Sequence, residues 1–479
     1  MIYFRLPNFL QSQLHPDLYE VDFYREQFLL WSSWPAGLLA ATGIGLISFS
    51  IIRKRFGLTT RESEQFLLWG VVAFGVILRV RAFLTGRSLW LDEALLALNV
   101  EKRNLLELLT LPLDDVHSVP PGFLALAWLS HGVFGRSEFS LRLVPFIASI
   151  VTLLVTKSVS DNLFKTRLSR FIMLTLIAFS PVLVYYSQEF KQYSTDVLVT
   201  TVILWMLVNW DRARNPWYFG LLGALLVQIS VTAVFSLTAL GATLLLREVR
   251  WSSAPRDVVS FVKSKWRTLI SWAGGGVLHG AYLLFAGTSV NTMQERWRSG
   301  GGFAPQSDLE SLPAWFLESL QQLVWLSFGH HAVAGENMEA LQPFSAVLLL
   351  FFLAGVSAFR FSRVFSVWML AIPTILSLAQ LYPFFGGRVN LYLVPVVAVA
   401  LAGLAQSALI RRGKPSLKWV AQAVLAMTLL PGAVSLVVFG KPENKRDIAW
   451  VIAEYENRRE DTDVFTMPIG APYNWYRSD

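Results

Sequence analysis

Two adjacent carboxylates, Asp92 and Glu93, follow the aromatic and apolar run Ser88-Leu-Trp-Leu. A carboxylate that is partly desolvated has a raised pKa and can take a proton as a general base. The same pair also fits a helix start, with Asp92 as cap and Glu93 in the first turn ahead of Ala94–Leu98.

Three further segments carry groups of the same kind. His117 stands just before Pro120-Pro121-Gly-Phe, with Asp114 and Asp115 close by. It reads either as a participant in proton transfer or as a loop residue. The run Tyr185-Tyr186-Ser-Gln-Glu189-Phe-Lys191-Gln-Tyr193-Ser-Thr-Asp196 packs acid, base and aromatic groups into one short connection. Tyrosines and a snorkelling lysine suit a simple membrane anchor, but an anchor does not require Glu189 and Asp196. Finally, Tyr382-Pro-Phe-Phe-Gly-Gly-Arg388-Val-Asn390 places a guanidinium in a turn, where it suits either a specific phosphate or a bulk lipid headgroup. No phosphate-cradling glycine loop and no clustered zinc pattern occurs, and the absence of cysteine removes thiolate chemistry.

The elements that must position these groups are membrane helices. Of 479 residues 54% are hydrophobic and only 15% charged, against roughly 25% charged in soluble chains. The apolar residues come in blocks of about 16–24, the length that crosses the hydrocarbon core. This excludes a soluble enzyme, a disordered chain and a nucleic-acid-binding domain. The pattern predicts an all-α polytopic protein of about twelve spans. They are Phe28–Ile52, Phe66–Leu84, Arg142–Val159, Phe171–Tyr186, Val197–Trp210, Trp217–Ile229, Thr232–Leu246, Leu269–Val290, Pro343–Phe359, Phe365–Leu381, Val389–Ile410 and Leu417–Phe439. The sixth and seventh are nearly continuous and read as a possible broken hairpin. Pro120–Phe134 is too short to count as a span and reads as an interfacial helix.

Lysine and arginine favour cytoplasmic loops. The breaks after the odd-numbered spans are basic: Arg53-Lys54-Arg55, Lys165 with Arg167 and Arg170, the Arg247–Arg267 segment, and Arg411-Arg412. This places both termini and all four chemical segments outside the cytoplasm, at a multi-pass plasma (inner) membrane protein. The expected organisation is 1–65, an extracytoplasmic N-terminus with an extra first span; 66–439, a transmembrane core; and 440–479, a small extracytoplasmic tail. The N-terminus lacks a cleavable signal pattern and is expected to be retained.

The order Leu-Asp92-Glu93-Ala, then His117 ahead of Pro-Pro-Gly-Phe, then Phe-Gly-Arg-Ser-Glu-Phe-Ser-Leu-Arg (Phe134–Arg142), then Ser-Pro through Tyr-Ser-Gln-Glu-Phe-Lys-Gln-Tyr resembles the C-type membrane glycosyltransferases. The resemblance is to the glycosyltransferase family 39-like proteins, related to protein O-mannosyltransferases and lipid A aminoarabinose transferases. It runs from about Phe66 to Tyr392 and is most specific in its first half. It implies transfer of a sugar from a polyprenyl-phosphate carrier to an extracytoplasmic lipid, glycan or protein. By the same resemblance Asp92 is catalytic with Glu93 beside it, and Asp196 matches a second-loop aspartate. Lys191 stands where many relatives carry arginine.

Together these give Lys191, Tyr193 and Arg388 for the donor phosphate, and His117, Glu189 and Asp196 for acceptor or metal support. Relatives differ on metal use; Mg²⁺ or Mn²⁺ on Asp92 and Asp196 suits their hard oxygen donors, and that choice stays open. The extra first span and short tail depart from the family pattern and leave the acceptor undetermined. A transporter or lipid flippase is the main alternative, but it needs ionisable groups near the midplane, and here they lie in loops and at span ends. An oligosaccharyltransferase-like enzyme is a further alternative and would carry a larger outer domain.

Overall fold

The computed structural model describes residues 59–86, 88–114, 119–212, 217–249, 254–285, 294–295, 297–298, 301–306, 308–328, 338–385, 387–410 and 419–425. Among them every regular element is helical. The expected first span, most of the twelfth, His117 and the tail lie outside the described residues.

Ten of the expected spans have a helix at their position. These are α1 (Thr60–Leu84), α5 (Glu138–Leu163), α6 (Arg167–Phe179) with the short α7 (Pro181–Tyr186), α8 (Tyr193–Asn209), α9 (Trp217–Ile229), α10 (Ala233–Glu248), α11 (Ala254–Phe285), α13 (Met338–Ala358), α14 (Arg360–Leu378) and α15 (Val394–Ile410). Between α1 and α5 lie three shorter helices, α2 (Leu91–Lys102), α3 (Leu105–Thr110) and α4 (Pro121–Phe134), and α12 (Leu312–Leu326) precedes α13. Among the described residues five helical segments are long and apolar enough to cross a membrane. Ile77, Leu225, Val277 and Leu284 on α1, α9 and α11 are mostly exposed, as suits a lipid-facing surface. The chain is a multi-pass membrane protein.

Two expected boundaries need correction. The eighth span was expected to open at Leu269 after a basic loop, but α11 starts at Ala254 and runs for 32 residues. Its first turns carry Lys263, Lys265 and Arg267, good helix formers that extend the helix beyond its apolar stretch. The fourth span is broken at Ser180. Pro181 has no N–H to give Ile177, its partner four residues back. Arg79 of α1 replaces that donor, with Nη2 on the Ile177 carbonyl at 2.9 Å and Nη1 on that of Ala178 at 2.9 Å. The expected broken hairpin is two helices, α9 and α10, joined through Ser230–Thr232.

The core is one apolar body in which α5 packs on α8, α9 on α11, and α15 on α6 and α13. A second cluster lies at one end of it, where Leu96, Val100, Leu108, Phe123, Leu124, Leu141 and Phe190 close together. Helix α4 contributes Phe123, Leu124 and Ala127 to this cluster. Near its start Gly122 abuts the end of α9, where a β-carbon would come within 2.8 Å of the Gln228 carbonyl. Near its other end Ser130 Oγ donates to the Ser140 carbonyl in the first turn of α5. Val119, just ahead of α4, accepts from Tyr282 Oη near the end of α11 at 3.0 Å. The α4 helix is thus fastened near its two ends to the end of α9 and the start of α5.

Candidate functional site

Helix α2 begins with Trp90 as N-cap, which puts Asp92 and Glu93 in its first turn, as the helix-start reading expected except for the identity of the cap. Their environments differ sharply. Glu93 is fully buried and faces Arg142 at the start of α5, itself 3% exposed. Glu93 Oε1 accepts from Arg142 Nε at 2.9 Å and from the Phe190 backbone N–H at 2.6 Å. Its Oε2 accepts from Arg142 Nη2 at 2.8 Å and from the Trp90 N–H at 3.4 Å. Arg142 Nη2 also donates to the Ser88 carbonyl at 3.1 Å. One carboxylate thus ties the start of α2 to α5 and to the segment between α7 and α8, immediately before Lys191. Stacking of Phe190 on Phe123 of α4, with centroids 5.8 Å apart, holds the second loop from its other side.

Asp92 points the other way. Its Oδ2 accepts from Arg388 Nη2 at 2.8 Å, with side chains 25% and 28% exposed. Arg388 opens the 3₁₀ helix Arg388–Leu393 ahead of α15. The turn before it is fixed by Tyr382 Oη donating to the Val389 carbonyl at 2.7 Å and Asn390 Nδ2 donating to the Phe385 carbonyl at 2.8 Å. Gly387 belongs to the same close turn: a β-carbon there would sit 2.0 Å from the Phe385 ring. The guanidinium lies 5.0 Å from the Trp90 ring centroid and 5.8 Å from that of Tyr193, within cation–π range. Tyr193 in turn meets Tyr186 edge-on at 5.2 Å.

Lys191 and Glu189 are both buried. Burial pushes the Lys191 amine down to about 8, opposed by the negative field of Asp92, while Arg388 adds to the depression. Among the described residues no hydrogen bond or ion pair holds Lys191 Nζ. Asp92, Lys191, Tyr193 and Arg388, with Glu93 and Glu189 behind them, therefore form one group drawn from three distant segments.

Asp196 is placed differently. It occupies the first turn of α8, and its Oδ1 accepts from Ser230 Oγ at 2.6 Å at the α9–α10 junction. Thr232 Oγ1 completes that chain, 2.9 Å from Ser230 Oγ. Asp92 is bonded to Arg388 and Asp196 to Ser230, and no group of three His, Asp or Glu that could hold a metal occurs among the described residues.

The sequence reading missed the part played by Arg142, Trp90 and Ser230. Arg142 left one signal, a lone cation in the opening turn of an apolar helix, where it demands a partner.

Residues 118–254 match the family described as dolichyl-phosphate-mannose-protein mannosyltransferase. No curated protein matches the chain. Among solved structures, ArnT from Cupriavidus metallidurans bound to undecaprenyl phosphate aligns at 10% identity and a TM-score of 0.48, over 85% of this chain and 84% of that one. Its apo state aligns at 11% and 0.47 over the same shares. The Archaeoglobus fulgidus oligosaccharyltransferase in complex with zinc and sulfate aligns at 15% and 0.44, over 85% of this chain and 61% of that one. The matched segment contains α4, α5 and the loop with Lys191 and leaves out Asp92, Glu93 and Arg388, so over that stretch the chain is similar to the dolichyl-phosphate-mannose-protein mannosyltransferase family.

Proposed function

We propose that this protein transfers a sugar from a polyprenyl-phosphate carrier to an acceptor hydroxyl or amine at the extracytoplasmic face of the membrane. The observation that carries the reading is the meeting of Asp92 with Arg388, 296 residues apart, beside the buried Lys191 amine. A base and two cations at one end of a helical bundle suit a glycosyl phosphate whose chain is confined to the bilayer.

In the proposed step the acceptor's oxygen or nitrogen attacks the anomeric carbon as the bond from that carbon to the phosphate oxygen breaks. The acceptor's proton passes to Asp92, and the electron pair of the broken bond leaves on the polyprenyl phosphate. Lys191 and Arg388 stabilise that developing charge through charge-assisted hydrogen bonds. Tyr193 and Trp90 hold the guanidinium by its faces. Glu93 serves as a positioning residue, since its oxygens are taken by Arg142 and two backbone N–H groups. Helix α4 lies at the membrane interface and roofs the site. Asp196 and Glu189 support the site from beneath.

A transporter would place its charged groups along a path through the bilayer; the clustering of Asp92, Lys191 and Arg388 at one end favours chemistry there instead. Mass spectrometry of envelope glycolipids and glycoproteins from cells with and without the protein tests the reading. A sugar-bearing species that vanishes and returns with the wild-type gene, but not with Asp92→Asn, supports it; unchanged profiles contradict it.

A further inference from the structure

The two neighbouring carboxylates of α2 are built for different fates. Glu93 is inaccessible and accepts four N–H donors, so nothing entering the site can displace its partner. Asp92 meets Arg388 where both side chains are about a quarter exposed. The guanidinium is held from behind by the Trp90 and Tyr193 rings and by the braced turn that carries it. Arg388 is thus a braced cation, and its contact with Asp92 lies where an incoming anion can reach it.

This pairing poses a chemical conflict. The Asp92 Oδ2 that accepts from Arg388 at 2.8 Å is engaged by that donor and is not open to an acceptor's proton. A guanidinium occupied by a carboxylate is likewise a poor phosphate receptor. Both groups fit the proposed reaction only after they part.

We infer that the Asp92–Arg388 ion pair is an exchange latch: the phosphate of the polyprenyl-linked donor takes Arg388 from Asp92, and the freed carboxylate then serves the acceptor. This rests on the donor reading given above and adds an order to it, donor first and acceptor second. Lys191 supplies the entry point, a buried amine with no hydrogen-bond partner among the described residues and within the fields of Asp92 and Arg388. The phosphate lands on Lys191, and the guanidinium, whose fork matches phosphate geometry, completes the cradle. A base whose oxygen is occupied by Arg388 until the donor arrives does not meet acceptor or water prematurely. No bond is made or broken in the exchange; one ion pair replaces another.

The latch makes a prediction with an unusual sign. Asp92 competes with the phosphate for Arg388, so Asp92→Asn should bind polyprenyl phosphate more tightly, by about threefold or more for a partly exposed pair. The probe is undecaprenyl phosphate, titrated against purified full-length protein in nanodiscs. Arg388→Ala should weaken binding, and in that background Asp92→Asn should give little further gain. Asp92→Ser provides a second uncharged variant should the asparagine protein fail to fold. Asp92→Asn binding equal to or weaker than wild type would overturn the latch while leaving the donor reading intact. Failure of the wild type itself to bind the probe would overturn both.

Discussion

The Glu93 carboxylate and the Arg142 guanidinium meet at 2.8 Å with neither side chain more than 3% exposed. This pair joins the helix that carries Asp92 to the backbone just before Lys191. Breaking such a pair from one side strands a buried charge and costs about 3–5 kcal/mol, whereas replacing both partners by apolar groups costs far less. Arg142→Leu should therefore lower the thermal unfolding midpoint more than the double variant Glu93→Leu/Arg142→Leu. Equal midpoints would show that the pair is solvated in the membrane.

A second prediction concerns Arg79. It donates to two carbonyls that Pro181 and the helix break leave exposed, at 2.9 Å each. Hydrogen bonds from a charged donor contribute about 1.5–3 kcal/mol apiece. Arg79→Leu should destabilise the protein by about 3 kcal/mol or more, measured by denaturant unfolding in detergent. Pro181→Ala should soften the loss when combined with it, because alanine restores the N–H that Ile177 lacks.

Lys191 gives a pH signature. Its amine is held down to about 8 by burial, so it carries its proton below that pH and loses it above. Affinity for undecaprenyl phosphate should be full near pH 7 and fall as pH rises through about 8. Lys191→Arg should flatten the profile, since guanidinium keeps its charge throughout this range. A wild-type profile that is flat from pH 7 to 10 would remove Lys191 from the phosphate site.

At Gly387 a β-carbon would lie 2.0 Å from the half-buried Phe385 ring, so the ring or the turn must shift to admit it. Gly387→Ala should shift the turn that presents Arg388 and weaken probe binding about tenfold, the effect of roughly 1.4 kcal/mol. Retained secondary structure by circular dichroism would place that loss in the site rather than in folding.

Much of this architecture was legible because the bilayer forces apolar blocks of fixed length, so helix positions from Phe66 to Ile410 stand out in composition. Helix ends were not, as α11 shows: a basic stretch marks a water-exposed segment without deciding whether it coils or continues as helix. The Ser180-Pro181 break was visible as a proline in an apolar run, yet its stabiliser Arg79 lies about a hundred residues away. The candidate site divided in the same way. Asp92, Lys191 and Arg388 stood out as charged residues beside aromatics, since such groups near a membrane need a reason. Their pairing did not, because Arg142 and Arg388 reach their carboxylates across 49 and 296 residues. Asp196 joined Asp92 through the family resemblance, and only the α9–α10 junction reveals Ser230 as its hydrogen-bond partner.

The central claim is that Asp92 takes the acceptor's proton, and purified Asp92→Asn tests it most directly. The amide keeps the carboxylate's shape but cannot accept that proton, and loss of general-base help costs about 10²–10⁴ in rate. With the sugar donor and acceptor identified from the envelope profiles, the variant should bind undecaprenyl phosphate at least as well as wild type, yet transfer sugar at least about a hundredfold more slowly. Transfer at the wild-type rate would contradict the account and leave Asp92 as a helix-start residue that pairs with Arg388.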